Sequence, residues 1–447
     1  MRAILSLVFC LIVSAALADE VKINISAPSV LPGVTPEMRS PGFWVARHPS
    51  PDEPVLDPKG VLALNRRSKA MNLIEDLTRV PAVLPGTLVR AQLSEIIDGL
   101  KKRVLFAADG KAASADFVPG FDREVDSIPE KVDVLFGFIV KPTALRLLPT
   151  ATPLYAEAGD VDFDELQNSG LETATPVIVL AHSRDRQWLF VRDAISSGWV
   201  PVASVARAPH ETFVKHTLLA RTLIVTAARA DLFLDKGMTE YLTTARMGTP
   251  FTYKSVSNGF WEVEVPAADP QGEVKFIPAY ISKKDASAGP LLYTPRVIYE
   301  QAFKLLDSPY GWGDMNGGQD CSRFIQMVFA TVGIQLPRNS EQQAKVGALL
   351  PGFNDKLSTA EKAVIIGQKG LGAATVLRLQ GHIVLYLGSY NDKPYAIHAT
   401  WAFRETMPDG SQRARVIGRV AVTSLDLGAG SAKGSLLERV VSARVLK

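Results

Sequence analysis

The feature that most constrains the fold is a change in hydrophobic periodicity near Phe136. Beyond it, short apolar runs of strand length alternate with turn residues in two successive sets. The first set is FGFIVKPTALRLLP, TPVIVLAHS, QWLFVRD and GWVPVASV, and the second is RTLIVTAARADLFL, GTPFTYKSV, FWEVEV and VKFIPAYI. Strand-length runs bounded by turn signals predict small antiparallel sheets or barrels. The middle of this 447-residue chain is therefore predicted to be all-β.

The two sets end alike, because WLFV leads to WVP in the first and WEVEV leads to FIP in the second. We therefore predict two consecutive small β-barrels, over 135–210 and 211–285. Their pairing resembles tandem bacterial SH3-like domains. Two helical patterns precede them, one through VLALNRRSKAMNLIEDL and one from Leu88 to Leu100, so 19–134 is predicted to be a helical region.

The first twenty residues are MRAILSLVFCLIVSAALADE. A positive start, an apolar run and a small-x-small site at 16–18 predict a signal peptide over 1–18. The alternative, a membrane anchor, needs an apolar span of about 20 residues. The sequence therefore predicts an exported protein, periplasmic or secreted, with no membrane span in the mature chain.

Loss of 1–18 would remove Cys10 and leave Cys321 as the only cysteine, so the mature chain could form no internal disulfide. The apolar residues after Cys321 fall on one helical face and Gly333 ends that helix, which puts Cys321 in the first turn. There the helix dipole favours a thiolate, the nucleophilic form of cysteine. An inert core cysteine is the alternative, but the polar neighbours of Cys321 suit a core poorly.

Two histidines lie downstream in the segment GHIVLYLGSYNDKPYAIHATW. This pattern predicts a hairpin that places His382 and His398 directly opposite each other, with Cβ atoms about 5 Å apart. In that arrangement Cys321 attacks a carbonyl carbon, His382 takes the thiol proton and later protonates the leaving amine, and His398 fixes the tautomer of His382. Ordinary strand histidines are one alternative. A zinc site is another, although neither CxxC nor HExxH spacing occurs.

Asp320 precedes the proposed nucleophile, and a carboxylate there should oppose thiolate formation. It could cap the helix, because Asp is a preferred capping residue. It could instead bind a cation, such as the free ammonium group of a substrate. Both interpretations remain open from the residues alone. The net charge of +3, without a run of Lys or Arg, indicates no nucleic-acid partner.

The remaining part, 286–447, is predicted to be an α+β domain with helices first and strands after. It contains SPYGWGDMNGGQDCSRFIQMVF, LPRNSEQQA, GHIVLYLG and AIHAT in that order. These segments resemble the NlpC/p60 family of papain-like cell-wall peptidases. With the SH3-like pair and the helical region, the resemblance extends loosely over nearly the whole mature chain. The expected architecture is therefore multidomain, with a papain-like C-terminal domain.

The resemblance implies hydrolysis of the γ-D-glutamyl–L-diamino acid bond in peptidoglycan stem peptides, without a metal or cofactor. The mature protein is expected to be a monomer. In the subgroup with SH3-like domains, the substrate has a free N-terminal L-Ala, and the resemblance assigns its amine to Asp320. It also implies that Tyr310 lies near the oxyanion and that Ser322 lines the peptide site. Many members have Gly where this chain has Arg323, a cation that could alter which substrate end is accepted.

Two other functions remain open at this level. The chain could be a non-enzymatic wall-binding protein that uses its SH3-like domains, but the presence of Cys321, His382 and His398 argues against lost catalysis. It could also be a cysteine-dependent acyl or amide transferase with the same three residues.

Overall fold

The computed structural model of the protein describes residues 23–218 and 221–447. The predicted signal peptide over 1–18, with Cys10, lies outside the described residues. Within them are three seven-stranded sheets and one two-stranded ribbon. No described helix is long and apolar enough to cross a bilayer.

The described residues begin with a strand, and four α-helices follow in them before the first barrel-like sheet. These elements are β1 (Ile23–Ser26), α1 (Pro41–Val45), α2 (Pro58–Ala70), β2 (Val83–Pro85), α3 (Gly86–Lys101), α4 (Asp122–Asp126) and β3 (Lys131–Asp133). Asp57 starts α2 by accepting a hydrogen bond from the Gly60 amide at 2.7 Å. The helical pattern predicted a helix that continues to Leu77, and this was wrong. The helix α2 ends at Ala70, and Asn72 just beyond it has a left-handed φ of 55°.

The N-terminal region is divided between two hydrophobic cores. Trp44 and Leu64 belong to the core of the C-terminal domain. Leu93 and Ile97 of α3 belong to a core that they share with the first barrel-like sheet. This stretch therefore links the C-terminal domain to the first sheet through buried apolar contacts.

The first sheet is antiparallel and has the strand order β10-β4-β7-β8-β9-β5-β6. Its strands are β4 (Leu135–Ile139), β5 (Thr143–Arg146), β6 (Gln167–Leu171), β7 (Pro176–His182), β8 (Trp188–Arg192), β9 (Ser197–Pro201) and β10 (Val205–Ala208). A short helix, α5 (His210–Thr217), follows it.

The second sheet has the order β13-β12-β16-β15-β14-β11-β17. Its strands are β11 (Thr222–Val225), β12 (Arg229–Phe233), β13 (Tyr241–Arg246), β14 (Pro250–Val256), β15 (Phe260–Ala268), β16 (Val274–Ser282) and β17 (Ala286–Ala288). When the strands of each sheet are numbered in chain order, the first sheet reads seventh, first, fourth, fifth, sixth, second, third, and the second sheet reads the same from its opposite edge. In each, a 3₁₀ turn precedes the last strand. The third strands, β6 and β13, therefore occupy equivalent places.

The C-terminal domain packs helices against a seven-stranded sheet of order β1-β22-β21-β20-β19-β23-β18. The central helix α7 packs against β20 and β21. The elements are α6 (Pro295–Lys304), α7 (Cys321–Ala330), α8 (Ser340–Gln343), β18 (Ala348–Leu349), α9 (Thr359–Lys369), β19 (Thr375–Leu379), β20 (His382–Tyr390), β21 (Lys393–Thr406), β22 (Gln412–Ser424) and β23 (Val440–Val445).

The β20–β21 hairpin contains a bulge that decides where its histidines point. Tyr390 pairs with Lys393 at the turn, but the register shifts by one residue between Tyr386 and Gly388. An unbulged ladder would put His382 and His398 on opposite faces of the sheet, and the one-residue shift returns them to the same face. The prediction that they lie directly opposite each other was wrong, because continuing this register leaves them offset by two residues.

Gly388 at the bulge has a φ of 135°, a conformation that residues with a Cβ rarely adopt. An added Cβ would lie at an ordinary contact distance of 3.7 Å from Trp44. A substitution at Gly388 is therefore destabilising because of the backbone conformation and not because of a steric clash. We expect Gly388→Ala to lower the free energy of unfolding by about 1–3 kcal/mol in urea titration. The control is Gly99→Ala in α3, where a Cβ meets nothing within 4 Å; equal effects of the two substitutions would contradict the role of the bulge.

Candidate active site

Cys321 is the first residue of α7, and Asp320 is the capping residue. The Asp320 Oδ1 atom accepts a hydrogen bond from the Arg323 amide at 2.8 Å. The thiol side chain is largely buried, with 8% of the residue exposed. Because the positive end of the helix dipole lies at this point, the site favours the thiolate. The predicted helix start and the capping interpretation of Asp320 both agree with this geometry.

His382 and His398 form a directly hydrogen-bonded pair, with 2.7 Å between His382 Nε2 and His398 Nδ1. His398 Nε2 lies 3.0 Å from Thr423 Oγ1 on β22. If His382 donates from Nε2, His398 accepts at Nδ1 and donates from Nε2 to the threonine. In that arrangement His382 Nδ1 carries a lone pair that can accept a proton.

Both imidazoles are held in the neutral form. Burial lowers the pKa of His398 to about 3, and the positive charge of Arg439 acts in the same direction. Burial also holds the pKa of His382 well below its ordinary value, with further contributions from His398 and Arg439. At neutral pH, His382 is therefore available as a proton acceptor.

The Asp320 carboxylate is paired with a buried arginine. Arg338 Nη2 lies 2.6 Å from Asp320 Oδ2, and Arg338 Nη1 lies 3.2 Å from Asp320 Oδ1. Ser322 Oγ donates to Asp320 Oδ1 at 3.0 Å and accepts from Arg338 Nη1 at 2.9 Å. The negative charge beside Cys321 is thus neutralised locally. Any ammonium group that reaches Asp320 must share its oxygens with these two partners.

Tyr310 lies in the loop before α7, where its ring contacts two aromatic side chains. The ring centroids are 6.3 Å from Phe163 and 6.0 Å from Trp401. The backbone amide of Tyr310 donates to the Gly418 carbonyl at 2.9 Å. Tyr310 is thus held at the boundary between the first sheet and the C-terminal domain.

A cavity of about 820 Å³ is lined by several of these residues, though not by the two histidines, and by two other parts of the chain. Its walls include Tyr310, Asp320, Cys321 and Ser322 from the C-terminal domain. The opposite walls come from α3 and the first sheet, through Glu95, Asp98, Lys102, Arg103, Glu165 and Asn168. Arg103, just after α3, and Glu165, just before β6, form an ion pair of 2.9 Å that joins these two walls. No pattern in the sequence indicated that α3 would line the cavity.

Two further positions near the predicted site were missed. Arg338 lies within the segment LPRNSEQQA, so its sequence context was visible, but its pairing with Asp320 was not. Thr423 comes from β22, and only the three-dimensional register of the sheet places it beside His398. Among the described residues, no three His, Cys, Asp or Glu side chains are grouped so as to hold a metal ion.

Arg323, the cation that the sequence suggested could alter which substrate end is accepted, does not line the cavity. Its Nη2 atom lies 3.3 Å from Glu172 Oε1, and its Nε atom lies 3.5 Å from Asp314 Oδ2. The side chain is directed toward these buried carboxylates, which attract it away from the cavity.

Comparison with family models finds two matches. Residues 307–401 match the NlpC/P60 family, and residues 153–201 match the SH3 domain of the SH3b1 type. The chain therefore carries an SH3b domain followed by a C-terminal NlpC/P60 domain, as the resemblance in the sequence implied.

A solved structure presented as a novel NlpC/P60 endopeptidase from Photobacterium damselae subsp. piscicida matches with a TM-score of 0.76. The match covers 95% of this chain and 99% of that chain at 19% identity, which shows a common fold.

Curated relatives match over a shorter stretch. The bifunctional muramidase/DL-endopeptidase CwlT of Bacillus subtilis is 34% identical over 94 residues, or 21% of this chain and 26% of that protein. The gamma-D-glutamyl-L-lysine dipeptidyl-peptidase of the same organism is 33% identical over 93 residues, or 21% and 28%. The aligned stretch thus spans about a quarter of each relative.

The buried neutral imidazole of His398 makes the stability depend on pH. The unfolded chain binds a proton near the ordinary histidine pKa of about 6.5, whereas the folded chain does so only near 3. The contribution of neutral His398 to the unfolding free energy is therefore full above a pH of about 6.5 and is lost as the pH falls toward 3. From pH 7.5 to 5.0 we expect His398 to account for a fall of about 2 kcal/mol in the unfolding free energy. Urea titrations should show a shallower pH dependence for His398→Asn; an unchanged slope would contradict this linkage.

Proposed function

We propose that this protein is an exported cysteine peptidase that hydrolyses the γ-D-glutamyl–L-diamino acid bond of peptidoglycan stem peptides. The observation that carries the proposal is the hydrogen-bonded pair of His382 and His398 on strands that pack against the helix beginning at Cys321. The NlpC/P60 match over 307–401 supports the reaction class. The names of the two Bacillus subtilis relatives, an endopeptidase and a γ-D-glutamyl peptidase, support the bond.

The proposed reaction has two halves. Cys321 Sγ attacks the γ-carbonyl carbon of D-glutamate while His382 Nδ1 takes the thiol proton. The carbon–nitrogen bond then breaks, His382 returns the proton to the leaving amine of the diamino acid, and a thioester remains. Water, deprotonated by His382, attacks this thioester and releases the D-glutamyl carboxylate and the thiol. His398 stays neutral and holds His382 in the tautomer that both halves require.

Two cavity residues have proposed binding roles. Tyr310 lies on the cavity wall, where its hydroxyl is proposed to stabilise the oxyanion that develops on the attacked carbonyl. Ser322 is proposed to line the peptide site next to Asp320, the residue with which it shares a hydrogen bond.

The shape of the cavity supports short, unlinked peptides as substrates. Its walls come from α3, the first sheet and the C-terminal domain, and this enclosure disfavours a peptide still attached to glycan. Asp320 is proposed to bind the ammonium group of a free N-terminal L-Ala while remaining paired with Arg338. Such specificity suits turnover or recycling of wall fragments in the periplasm or outside the cell.

The domain plan belongs to the same proposal. The second sheet is proposed to be another SH3-like barrel, because its strand order repeats that of the first sheet, which contains the SH3b match. The proposed units are a signal peptide over 1–18, a largely helical region over 19–134, barrels over 135–210 and 211–288, and a papain-like domain over 289–447. The expected boundary at 285 is moved by three residues because β17 (Ala286–Ala288) lies in the second sheet, and β1 of the N-terminal region lies in the C-terminal sheet. The mature protein is proposed to act as a monomer.

A cysteine-dependent transferase remains the second candidate, because the thioester would react equally with an amine in place of water. Mass spectrometry of products from defined muropeptides separates the two reactions. A peptidase releases two free fragments in water, whereas a transferase joins the acyl fragment to an added amine. A wall-binding protein without catalysis would release neither product.

The nucleophile can be tested with L-Ala-γ-D-Glu-meso-diaminopimelate. We expect Cys321→Ala to remove detectable hydrolysis, because no thioester can form, while circular dichroism and the melting temperature stay close to those of wild type. His398→Asn serves as a graded comparison that should keep partial activity, since an amide can still orient His382. Turnover by Cys321→Ala would refute the assignment.

The role of Asp320 can be tested on the substrate side, without disturbing the buried Asp320–Arg338 pair. N-acetylation of the tripeptide removes the positive charge that Asp320 is proposed to bind. We expect kcat/KM to fall at least 10-fold, in line with loss of one charge-assisted hydrogen bond of about 1.5–3 kcal/mol. Equal cleavage of blocked and free peptides would show that Asp320 serves only as the helix cap and the partner of Arg338.

A further inference from the structure

The loop before Cys321 has an unfavourable backbone conformation. Gly313, Asp314, Asn316 and Gly317 have φ angles of 53°, 69°, 53° and 70°. Two of these residues carry a Cβ, for which the left-handed region is disfavoured. Such a conformation persists only where surrounding contacts hold it. Because the loop leads directly into α7, its geometry sets the position of Cys321.

The first sheet holds one half of this loop. Gln167 Nε2 donates to the Gly313 carbonyl at 2.8 Å. The Gly170 amide donates to Asp314 Oδ2 at 3.1 Å. Gly170 must be glycine at this close approach, since an added Cβ would lie 2.9 Å from the Asp314 side chain.

The second sheet holds the other half through two arginines. Arg229 donates to the Gly317 carbonyl through Nη2. Arg246 Nη1 donates to the Gly318 carbonyl at 2.9 Å. Arg229 and Arg246 are direct cross-strand partners on β12 and β13, where like charges normally repel. Their convergence on consecutive carbonyls of one loop accounts for this unfavourable pairing.

Buried carboxylates compensate the charge of Arg246. Its side chain pairs with Glu172 and lies 3.5 Å from Asp314 Oδ2. Arg323 of α7 approaches the same two carboxylates. Burial alone would raise the pKa of Asp314, but Arg246, Arg323 and Arg338 together hold it below its ordinary value. Two acids and two arginines thus link both sheets to the first turn of α7.

We propose that Arg229 and Arg246 of the second sheet are positioning residues of the active site. They act through the loop at 311–320, which they hold in the conformation that presents Cys321 to the cavity. Arg323 and Glu172 complete the link between α7 and the two sheets. This role for the second sheet rests on the proposed catalytic function, although its effect on the thiol can be measured without any substrate.

The repeated topology of the two sheets supports this role. Glu172 follows β6 and Arg246 ends β13, so both lie at the ends of the equivalent third strands. These two ends meet at the same loop and contribute a carboxylate and a guanidinium to one ion pair. The second sheet therefore contributes to the geometry of the site even though the cavity walls come from α3, the first sheet and the C-terminal domain.

The test compares Arg229→Met, Arg246→Met and wild type in the chain without 1–18, where Cys321 is the only thiol. Arg229 is exposed, so Arg229→Met should fold; Arg246→Lys is added because removal of the buried guanidinium leaves two acids less compensated. Three quantities are measured: the rate of Cys321 alkylation by iodoacetamide as a function of pH, kcat and KM on the free tripeptide, and the melting temperature.

We expect both methionine variants to lower kcat by about 10- to 100-fold with KM within about twofold, because small displacements of a nucleophile cost that much. The alkylation rate of Cys321 should change in the same variants, and Arg246→Lys should lie between wild type and Arg246→Met. Arg221→Met is the matched control. Arg221 belongs to the same barrel and stacks on Tyr253 at 4.6 Å, and its loss should leave kcat and alkylation unchanged.

The outcomes separate this proposal from the catalytic one. Wild-type kcat and alkylation in folded Arg229→Met and Arg246→Lys, with only a lower melting temperature, would overturn the positioning role. If wild type cleaves no stem peptide but the variants still alter alkylation of Cys321, the proposed function fails and the positioning role stands. If Arg246→Met does not fold, the positioning role is tested by Arg229→Met and Arg246→Lys.

Discussion

The Asp320–Arg338 ion pair is the interaction on which the site depends. Asp320 starts α7 at Cys321 by capping its first turn, which fixes the backbone of the nucleophile. An uncompensated carboxylate at that position would oppose a thiolate. Because Arg338 lies 2.6 Å from it, the pair is close to neutral and the helix dipole keeps its effect on the thiol. One side chain can therefore define the helix start without preventing activation of its neighbour.

The two histidines contribute no charge of their own in the resting protein. Burial keeps both pKa values below the ordinary value, so the site has a neutral base and places its positive charge on arginines. This separation matters for the proposed chemistry. His382 can accept a proton at neutral pH, and Arg338, which is close enough to interact with Cys321, favours the thiolate that results.

Local signals in the sequence were sufficient for the parts of the site that depend on neighbouring residues. The apolar face after Cys321 and the stop at Gly333 predicted a helix with the cysteine in its first turn, and in the structure α7 begins at Cys321. The hairpin signal placed both histidines on adjacent strands. The bulge at Gly388 was not predicted, because the alternation of apolar and polar residues in the hairpin does not mark a one-residue shift of register. That shift, which no periodicity reveals, decides whether the two rings share a face.

Long-range contacts account for the other differences. The sequence suggested that Arg323, at a position where many family members have Gly, could alter which substrate end is accepted. In the structure the side chain pairs instead with Glu172, which lies 151 positions earlier in the chain. The wall formed by α3 likewise depends on how the N-terminal region divides between two cores. Sequence patterns identify which residues can do chemistry. Which of them meet in one cavity depends on the contacts between the separate sheets. Here those contacts include the ion pairs of Arg246 and Arg323 with Glu172, next to the first turn of α7.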